Sequence, residues 1–266
     1  MTEIKDIFAR KGHKALIAYL TVGYPNMGTT LEMVPLLASS GCDLVELGIP
    51  FSDPLADGTT IQRASYHALK QGTTPELCLD VARNLRGQVK IPLTFMTYFN
   101  PVLRYGLEAF CHDCSRAGIS GLIVPDLPPE EAGELEEISK SYCIDLIYLL
   151  APTSTDERID MVAARARGFI YLVSLTGVTG ARESLPPELE NFVLKVRKRA
   201  SQPLCVGFGI STPHEARRVA KVADGVIVGS RLIQLLDKND PAPEVNSLVR
   251  DLREALSNQV EETTGS

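Results

Sequence analysis

Two carboxylic acids lie in one short stretch, residues 46–58, which reads ELGIPFSDPLADG. Glu46 falls inside the apolar run 44–49, and Asp57 stands near the end of the segment that follows. A carboxyl group that faces a protein interior from an apolar strand is poorly solvated, and its pKa rises. Because such a group can donate and accept a proton near neutral pH, Glu46 is a candidate general acid and base. Asp57 is a candidate second carboxylate aimed into the same pocket.

Each carboxylate also has a structural interpretation. Glu46 could pair with a neighbouring arginine or cap a loop. Asp57 could cap the helix predicted to begin near Thr59, because aspartate is a favoured N-cap residue. Asp53 precedes Pro54 and is expected to organise a turn. From these residue types alone, the catalytic and the structural interpretation of the two carboxylates both stay open.

Two glycine-bearing segments in the last quarter of the chain could bind an anion. Residues 206–211 read VGFGIS, and residues 228–231 read VGSR at the predicted start of a helix. Glycine allows the backbone to approach an oxyanion closely, and a helix N-terminus offers N–H groups without intrahelical partners. The segments therefore indicate a phosphate site, with ordinary tight turns between a strand and a helix as the alternative.

A third segment and four aromatic residues complete the candidate site. Residues 174–186, SLTGVTGARESLP, are long and rich in small polar residues, as in a loop that closes over a ligand; a mobile surface loop is the alternative. The four histidines lie outside the predicted strand ends, and we predict no catalytic histidine and no metal cluster. Aromatic residues near predicted strand ends would together suit a flat apolar substrate, although each alone is more typical of a core: Tyr19, Tyr98, Tyr171 and Phe208.

The elements that would position these residues alternate between strands and helices. Amphipathic segments with a period near 3.6 residues separate short runs of Val, Ile and Leu, which is typical of a parallel sheet buried on both faces. The predicted strands are 15–20, 44–49, 92–96, 121–124, 145–150, 169–173, 204–208 and 225–228. The predicted helices are 30–39, 59–70, 75–86, 107–116, 129–141, 156–165, 187–199 and 213–219, and an extra helix precedes the first strand.

About eight such units without a flexible linker fit either a closed barrel or a doubly wound open sheet. No GxGxxG fingerprint follows the first strand, and a length of 266 residues is typical of the barrel. We therefore predict an α/β fold, a (β/α)8 TIM barrel with an extra N-terminal helix. The barrel is expected to form one domain over residues 1–266, with a polar tail from about residue 258. Its active site should lie at the C-terminal ends of the strands.

Composition excludes several classes of protein. A net charge of −6 and a pI near 5.4 argue against a nucleic-acid-binding surface. No apolar run reaches the roughly 18 residues of a membrane span, and residues 1–14 do not resemble a signal peptide. We expect a cytoplasmic protein whose six cysteines are reduced. Cys111 and Cys114 form a CxxC pair on a predicted helix, but no second pair follows at metal-binding spacing, which favours ordinary thiols.

The stretch 46–58 closely resembles the signature of the tryptophan synthase alpha chain family. TGVTG at 176–180, GFGIS at 207–211 and the Gly-Ser pair at 229–230 also resemble that family, and the resemblance extends over essentially the whole chain. It implies a lyase of tryptophan biosynthesis that cleaves indole-3-glycerol phosphate to indole and glyceraldehyde 3-phosphate in a retro-aldol reaction. It also implies that this chain needs no cofactor, because the indole ring itself carries the electronic rearrangement.

The resemblance implies roles for individual residues. Glu46 would protonate indole C3 and take the proton from the glycerol hydroxyl, and Asp57 would hold the indole N–H and stabilise positive charge on the ring. Thr179 would contact the catalytic region when its loop shuts. The family's phosphate cradle corresponds to Gly180, Gly209, Gly229 and Ser230, and its indole pocket corresponds to Tyr19, Tyr98, Tyr171 and Phe208.

The implied partner is a tryptophan synthase beta chain that carries pyridoxal phosphate and receives the indole within an α2β2 heterotetramer. Three positions depart from the usual pattern of the family. Tyr24 stands where many members have Asp, Thr59 where Pro is frequent, and Leu175 where some members have Arg. Tyr24 and Thr59 fall in loops that face the beta chain in the family, so the details of communication between subunits stay open.

Three other functions compete with this one. A free-standing indole-3-glycerol phosphate lyase would share the same residues. A barrel kept mainly as a regulatory or binding subunit would not need Glu46 and Asp57, so their presence argues against it. An indole-glycerol-phosphate synthase would call for a catalytic lysine near a strand end, and no lysine stands in the predicted strands or just after them.

Overall fold

The computed structural model describes residues 3–173, 187–207 and 209–257. Within these ranges, strands and helices alternate as the sequence predicts, and the structure adds two helices that were not predicted, Phe99–Tyr105 and Ala242–Ser257. The strands are β1 (Ala15–Thr21), β2 (Leu44–Gly48), β3 (Leu93–Met96), β4 (Ile119–Ile123), β5 (Asp145–Ile147), β6 (Leu149–Leu150), β7 (Ile170–Val173), β8 (Leu204–Gly207) and β9 (Gly225–Val228). The helices are α1 (Ile4–Phe8), α2 (Met27–Ser40), α3 (Thr59–Lys70), α4 (Pro75–Arg86), α5 (Phe99–Tyr105), α6 (Leu107–Ala117), α7 (Gly133–Ser141), α8 (Asp156–Arg165), α9 (Pro187–Arg197), α10 (Pro213–Ala220), α11 (Ser230–Leu235) and α12 (Ala242–Ser257).

The strands form one parallel sheet in the order β5-β4-β3-β2-β1-β9-β8-β7-β6. Only Tyr148 separates β5 from β6 along the chain, so these strands are two halves of the predicted fifth strand. β5 pairs with β4 and β6 pairs with β7, which brings the two ends of the sheet together. The carbonyl of Tyr148 also accepts a hydrogen bond from the backbone N–H of Tyr171 at 2.9 Å. The predicted TIM barrel is confirmed.

The extra N-terminal helix packs against one end of the barrel. Ile4 of α1 is buried against Gly121 in β4 and Gly168 before β7. A β-carbon on either glycine would lie 2.9 or 3.1 Å from an Ile4 side-chain carbon, so both positions leave room for that isoleucine. Phe8 packs on Phe169 with the ring centroids 6.2 Å apart. The apolar side of this helix therefore covers the end of the barrel where the strands begin.

Two acidic residues tie the N-terminal ends of the strands. Asp43, just before β2, accepts hydrogen bonds from the backbone N–H of Leu16 in β1 and from Arg253 in α12, both at 2.8 Å. Asp224, just before β9, accepts one from the backbone N–H of Leu204 in β8 at 2.8 Å and pairs with Arg197 of α9. Each carboxylate thereby links two neighbouring strands to a helix that covers them.

Local sequence sets where several helices begin. The Thr212 hydroxyl accepts a hydrogen bond from the backbone N–H of Glu215, and the Glu215 carboxylate accepts one from the backbone N–H of Thr212, so α10 begins with a capping box. Two predicted helix starts are wrong: the helix expected over 30–39 begins earlier, at Met27, and the helix expected over 129–141 begins only at Gly133. A hydrogen-bonded turn starting at the carbonyl of Pro128 comes before it.

Within the described residues, neither the thiols nor the helices indicate redox, membrane or metal chemistry. All six cysteines are free, and Cys111 and Cys114 are buried in α6. Burial raises the pKa of both thiols, which makes them poor nucleophiles. Across 3–173, 187–207 and 209–257, no helix has the length and apolar character needed to cross a membrane. The same residues contain no group of side chains arranged to hold a metal ion.

Candidate active site

Glu46 lies in the middle of β2 and is fully buried. Its partners on the adjacent strands are Tyr19 in β1 and Thr94 in β3, and residues paired in this way point to the same side of the sheet, here the barrel interior. Neither carboxyl oxygen has a hydrogen-bond partner among the described residues. Burial raises the pKa of Glu46 to about 8, so the group is protonated at neutral pH. A structural role in an ion pair with arginine finds no support in this part of the chain.

Asp57 lies between β2 and α3, at the mouth of the barrel. Its Oδ1 atom is buried and has no hydrogen-bond partner within the described ranges. Gly58 is the N-cap of α3 and no side chain caps that helix, so the helix-capping interpretation of Asp57 is wrong. Burial raises the pKa of Asp57 to about 6, and a hydrogen bond with Tyr98 opposes the rise. At neutral pH the site thus holds one protonated and one ionised carboxyl group.

Tyr98, at the end of β3, holds the loop that carries Asp57. Its hydroxyl oxygen accepts a hydrogen bond from the backbone N–H of Ala56 at 3.0 Å. Its ring stacks on Phe51 with the centroids 5.2 Å apart. Because Phe51 and Ala56 stand near opposite ends of this loop, one side chain fixes the loop at two points.

Tyr19 and Tyr171 lie over glycines of neighbouring strands. Tyr19 pairs with Glu46 and covers Gly48, two residues farther along β2. Tyr171 of β7 covers Gly207 of β8 in the same way. A β-carbon on either glycine would overlap the hydroxyl group of the tyrosine above it. The two glycines therefore provide the space in which both rings can form the wall of a pocket.

A cavity of about 310 Å³ opens at the C-terminal ends of the strands. Glu46 does not line this cavity itself; it lies one layer deeper, beside Tyr19. Burial, followed by the charge of Glu46, raises the pKa of the Tyr171 hydroxyl well above its usual value. The residues that line the cavity are Tyr19, Asp57, Ile61, Met96, Tyr171, Gly209, Ile210, Ser211, Ile227, Gly229, Ser230, Arg231 and Gln234.

The loop after β8 is held by Glu215. Its Oε2 atom accepts hydrogen bonds from the Ser211 N–H at 2.8 Å, the Ser211 hydroxyl at 2.9 Å and the Thr212 N–H at 3.0 Å. Gly209 has a φ of +79°, in the left-handed region that side chains rarely adopt. The structure brings three of the predicted phosphate contacts to one cavity: Gly209, Gly229 and Ser230.

Three predicted site residues, Thr179, Gly180 and Phe208, lie outside the described residues. Sequence reasoning also missed several residues that the structure places at the site. Thr94 is one, since its hydroxyl is buried without a partner in the described part of the chain and Glu46 is its neighbour in register. The available signal was a polar residue within the apolar run 92–96. Gly48 carried no signal until its pairing with the strand of Tyr19 was known.

The fold is that of a TIM-barrel enzyme, and two buried carboxyl groups lie at its cavity, near an aromatic wall and a glycine-rich wall. The family model for the tryptophan synthase alpha chain matches residues 7–263. The chain belongs to that family, whose members are lyases and whose known reaction is the cleavage of indole-3-glycerol phosphate. Membership implies a beta-chain partner. The resemblance seen in the sequence is confirmed.

Individual relatives support the assignment along the full length of the chain. The tryptophan synthase alpha chain of Dehalococcoides mccartyi is 56% identical over 96% of this chain and 100% of the relative. That of Chloroflexus aggregans is 49% identical over 97% and 98%. The crystal structure of tryptophan synthase subunit alpha from Legionella pneumophila superposes with a TM-score of 0.90 at 36% identity, covering 97% of this chain and 99% of that one.

Proposed function

We propose that this chain cleaves indole-3-glycerol phosphate to indole and glyceraldehyde 3-phosphate, with Glu46 as general acid and base and Asp57 as the carboxylate that stabilises the ring. The observation that carries the proposal is a pair of buried carboxyl groups at the cavity: Asp57 lines it, and Glu46 lies beside Tyr19 of its wall. The pKa of Glu46 is raised to about 8 and that of Asp57 to about 6. A retro-aldol cleavage needs both an acid and an anion in one site.

The proposed reaction has two steps. First, protonated Glu46 donates its proton to C3 of the indole ring, and the positive charge reaches the ring nitrogen. Ionised Asp57 accepts a hydrogen bond from the ring N–H and stabilises that charge. Second, the Glu46 carboxylate takes the proton of the hydroxyl on the adjacent glycerol carbon. The bond between that carbon and C3 breaks, its electrons restore the aromatic ring, and the carbon becomes an aldehyde. Glu46 ends protonated, as it began.

The two walls of the cavity would hold the two ends of the substrate. We assign the ring to the aromatic wall, whose proposed contacts are Tyr19, Tyr98, Tyr171 and Phe208. The phosphate would bind backbone N–H groups on the glycine-rich wall, because glycine permits the close approach that an oxyanion needs. Its proposed contacts are Gly180, Gly209, Gly229 and Ser230, with Thr179 meeting the catalytic region when its loop shuts.

We further propose an α2β2 assembly in which pyridoxal phosphate is carried by the beta chain and none by this chain. Two exposed leucines in segments that follow β2 and β3 support docking at this end of the barrel: Leu55, between β2 and α3, is 92% exposed, and Leu103 of α5 is 56% exposed. Large apolar side chains exposed at the surface mark a candidate protein contact.

A substitution tests that contact. Leu55→Asp should weaken the stimulation of indole release by an added beta chain at least tenfold while the slow release by the chain alone is unchanged. Leu194→Asp is the matched control, because Leu194 is a partly exposed leucine of α9. Equal stimulation of the Leu55 variant and the control would exclude Leu55 from the interface.

The experiment that tests the function is indole release from indole-3-glycerol phosphate by the purified chain, alone and with a beta chain. Slow release that rises sharply with the partner supports the alpha-subunit function. Fast release without a partner would favour a free-standing lyase. A folded chain that releases no indole under either condition would contradict the chemistry, and a regulatory subunit would then fit better.

A further inference from the structure

Four side chains form a cluster next to the cavity, which we call the Asp237 cluster: Tyr24, Arg63, His67 and Asp237. The Tyr24 hydroxyl donates a hydrogen bond to Oδ1 of Asp237. The Arg63 guanidinium donates one to Oδ2 of the same carboxylate at 2.6 Å. Both oxygens of Asp237 are therefore engaged by side chains from two other parts of the chain.

Helix α3 holds Tyr24 from a second direction. The ring of His67 meets the ring of Tyr24 edge-on, with the centroids 5.3 Å apart. The guanidinium carbon of Arg63 lies 5.8 Å from the centroid of the same ring. The His67 ring nitrogen also lies 3.0 Å from the carbonyl oxygen of Pro25. Arg63 and His67, one turn apart on α3, thus both contact the loop after β1.

The Asp237 cluster joins two helices, and each helix begins at one end of the proposed substrate site. Helix α3 begins just after Asp57, the proposed contact of the indole nitrogen, and its Ile61 lines the cavity. Helix α11 begins at Ser230, a proposed phosphate contact, and its Gln234 lines the same cavity. Asp237 stands directly after α11, so its bond to Arg63 spans the gap between the two helices.

Burial makes this connection firmer than an ordinary surface ion pair. The Arg63 and Asp237 side chains are 54% and 37% exposed, and an exposed pair alone fixes little. Tyr24 is only 4% exposed, however, and its hydroxyl bonds to a charged acceptor, which is stronger than a bond between neutral groups. The buried tyrosine therefore anchors the carboxylate that the arginine also binds.

We propose that Asp237 is a positioning residue that fixes the distance between the ring end and the phosphate end of the pocket. This inference rests on the proposed function, because it assumes that one substrate spans both ends. A ligand held at two points loses affinity when the points shift relative to each other, even if each point stays intact. Displacements of about 1 Å far from the reacting atoms can cost about a hundredfold in rate.

Ligands with one and with two ends separate this role from a general loss of structure. The two-ended probe is 3-indolylpropanol phosphate, an indole ring joined to phosphate through three carbons without hydroxyl groups. The one-ended probes are indole and glycerol 3-phosphate. Asp237→Asn and Tyr24→Phe each remove part of the cluster, and the second keeps the aromatic ring. Asp240→Asn, a nearby exposed acid, is the matched control.

In both variants we expect the dissociation constant of the two-ended probe to rise about tenfold, while those of the one-ended probes change less than about twofold. The double variant should resemble either single variant, because the two residues share one bond. Parallel weakening of all three probes would reduce the cluster to a structural role and overturn the proposal, as would unchanged binding of the two-ended probe. If the unaltered chain binds both one-ended probes but binds the two-ended probe no more tightly than either of them, the proposed function fails and this inference fails with it.

Discussion

Glu46 shows how an ordinary side chain acquires an unusual pKa from its surroundings. Both carboxyl oxygens are buried without hydrogen-bond partners in the described part of the chain, and burial alone accounts for the rise to about 8. Asp57 is less buried, has a hydrogen bond with Tyr98, and reaches only about 6. The interval between these two pKa values brackets neutral pH. Environment, and not residue type, therefore separates the acid from the anion.

These pKa values predict the pH dependence of catalysis. The kcat/KM for indole release should fall below about pH 6 as Asp57 becomes protonated, and above about pH 8 as Glu46 loses its proton. Steady-state rates between pH 5 and 10 measure both limbs. Asp57→Asn, although slower, should lose the lower limb, which distinguishes Asp57 from the phosphate of the substrate. A rate that stays level from pH 5 to 10 would contradict the assignment.

The same burial predicts a pH-dependent effect on stability. The Glu46 carboxyl ionises near 4.5 when unfolded and near 8 when folded. Below about pH 4.5 the carboxyl group is neutral in both states, and its contribution to the free energy of unfolding is fully present. As the pH rises to about 8, the group ionises in the unfolded chain and stays neutral in the folded chain, so that contribution is lost. Glu46→Gln has no carboxyl group to ionise at this position, so its free energy of unfolding does not fall in this way. The difference between the variant and the unaltered chain should therefore grow by several kcal/mol from pH 5 to 8.5, at about 1.4 kcal/mol per pKa unit.

Denaturant unfolding at the two pH values measures this difference, with the exposed Glu190→Gln as control. An advantage that does not change with pH would show that Glu46 is solvated or hydrogen-bonded in the folded chain. Activity should move the opposite way, since Glu46→Gln removes the proposed acid and base and should lower turnover by about 10² to 10⁴.

Residue types predicted part of this site. Glu46 was identifiable because it interrupts an apolar run, and the burial that follows confirms the expected rise in pKa. Asp57 remained ambiguous, since an aspartate before a helix is often its cap, and only the structure shows Gly58 in that place. Gly48 and Gly207 could not be found from sequence, because their importance depends on which residue of the adjacent strand lies beside them.

At the scale of elements, the pairing of β1 with β2 predicts the effect of filling the space under Tyr19. A β-carbon in Gly48→Ala would come within 2.6 Å of the Tyr19 ring carbon Cζ. The ring must then shift, which should cost about 1 to 3 kcal/mol of stability and weaken binding of an indole-bearing ligand about tenfold. Thermal unfolding and calorimetric titration measure the two effects.

Two further variants make this prediction specific. Gly87→Ala is the control, because a β-carbon there meets nothing within 4 Å. Adding Tyr19→Leu to Gly48→Ala should recover stability without recovering indole affinity, since the leucine relieves the overlap but supplies no ring. If Gly48→Ala is as stable and binds as tightly as the control, the ring is not confined as described.

Periodicity predicted most elements well, and its failures have physical causes. The helices over residues 59–70 and 75–86 were predicted with their observed ends. The start expected at Pro129 was early because tandem prolines can begin a turn as readily as a helix. The break at Tyr148 had no signal, because an aromatic residue within an apolar run is typical of a continuous strand.

At the scale of the whole molecule, stability and chemistry occupy opposite ends of the barrel. The hydrogen bonds and ion pairs of Asp43 and Asp224 lie where strands begin, whereas the proposed catalytic residues Glu46 and Asp57 lie beside or at the cavity where strands end. One sheet runs through all the described ranges. This continuity supports our proposal that residues 1–266 form one domain, in which distant parts of the chain meet at these hydrogen bonds and ion pairs.

A substitution of Asp43 tests whether stability and chemistry are separated between the two ends of the barrel. Its carboxylate accepts bonds from Leu16, Arg253 and the ring of His13, and only 17% of its side chain is exposed. Asp43→Asn should lower the free energy of unfolding by about 2 kcal/mol, the usual size for lost bonds to a charged group, while kcat is unchanged. Chemical denaturation and the indole assay measure both, against Asp240→Asn. A change in kcat with unaltered stability would reverse the proposed roles of the two ends.

The interruption at Tyr148 divides the barrel into two arcs, β1 to β5 and β6 to β9, which meet again where β1 pairs with β9. Glu46 and Asp57 belong to the first arc, while Gly209 and Gly229 belong to the second. The proposed catalytic residues and these two proposed phosphate contacts thus lie in different halves of the chain. Recombination of half-barrels at this interruption, in evolution or by design, would replace the proposed catalytic residues of the first arc and keep the proposed phosphate contacts of the second.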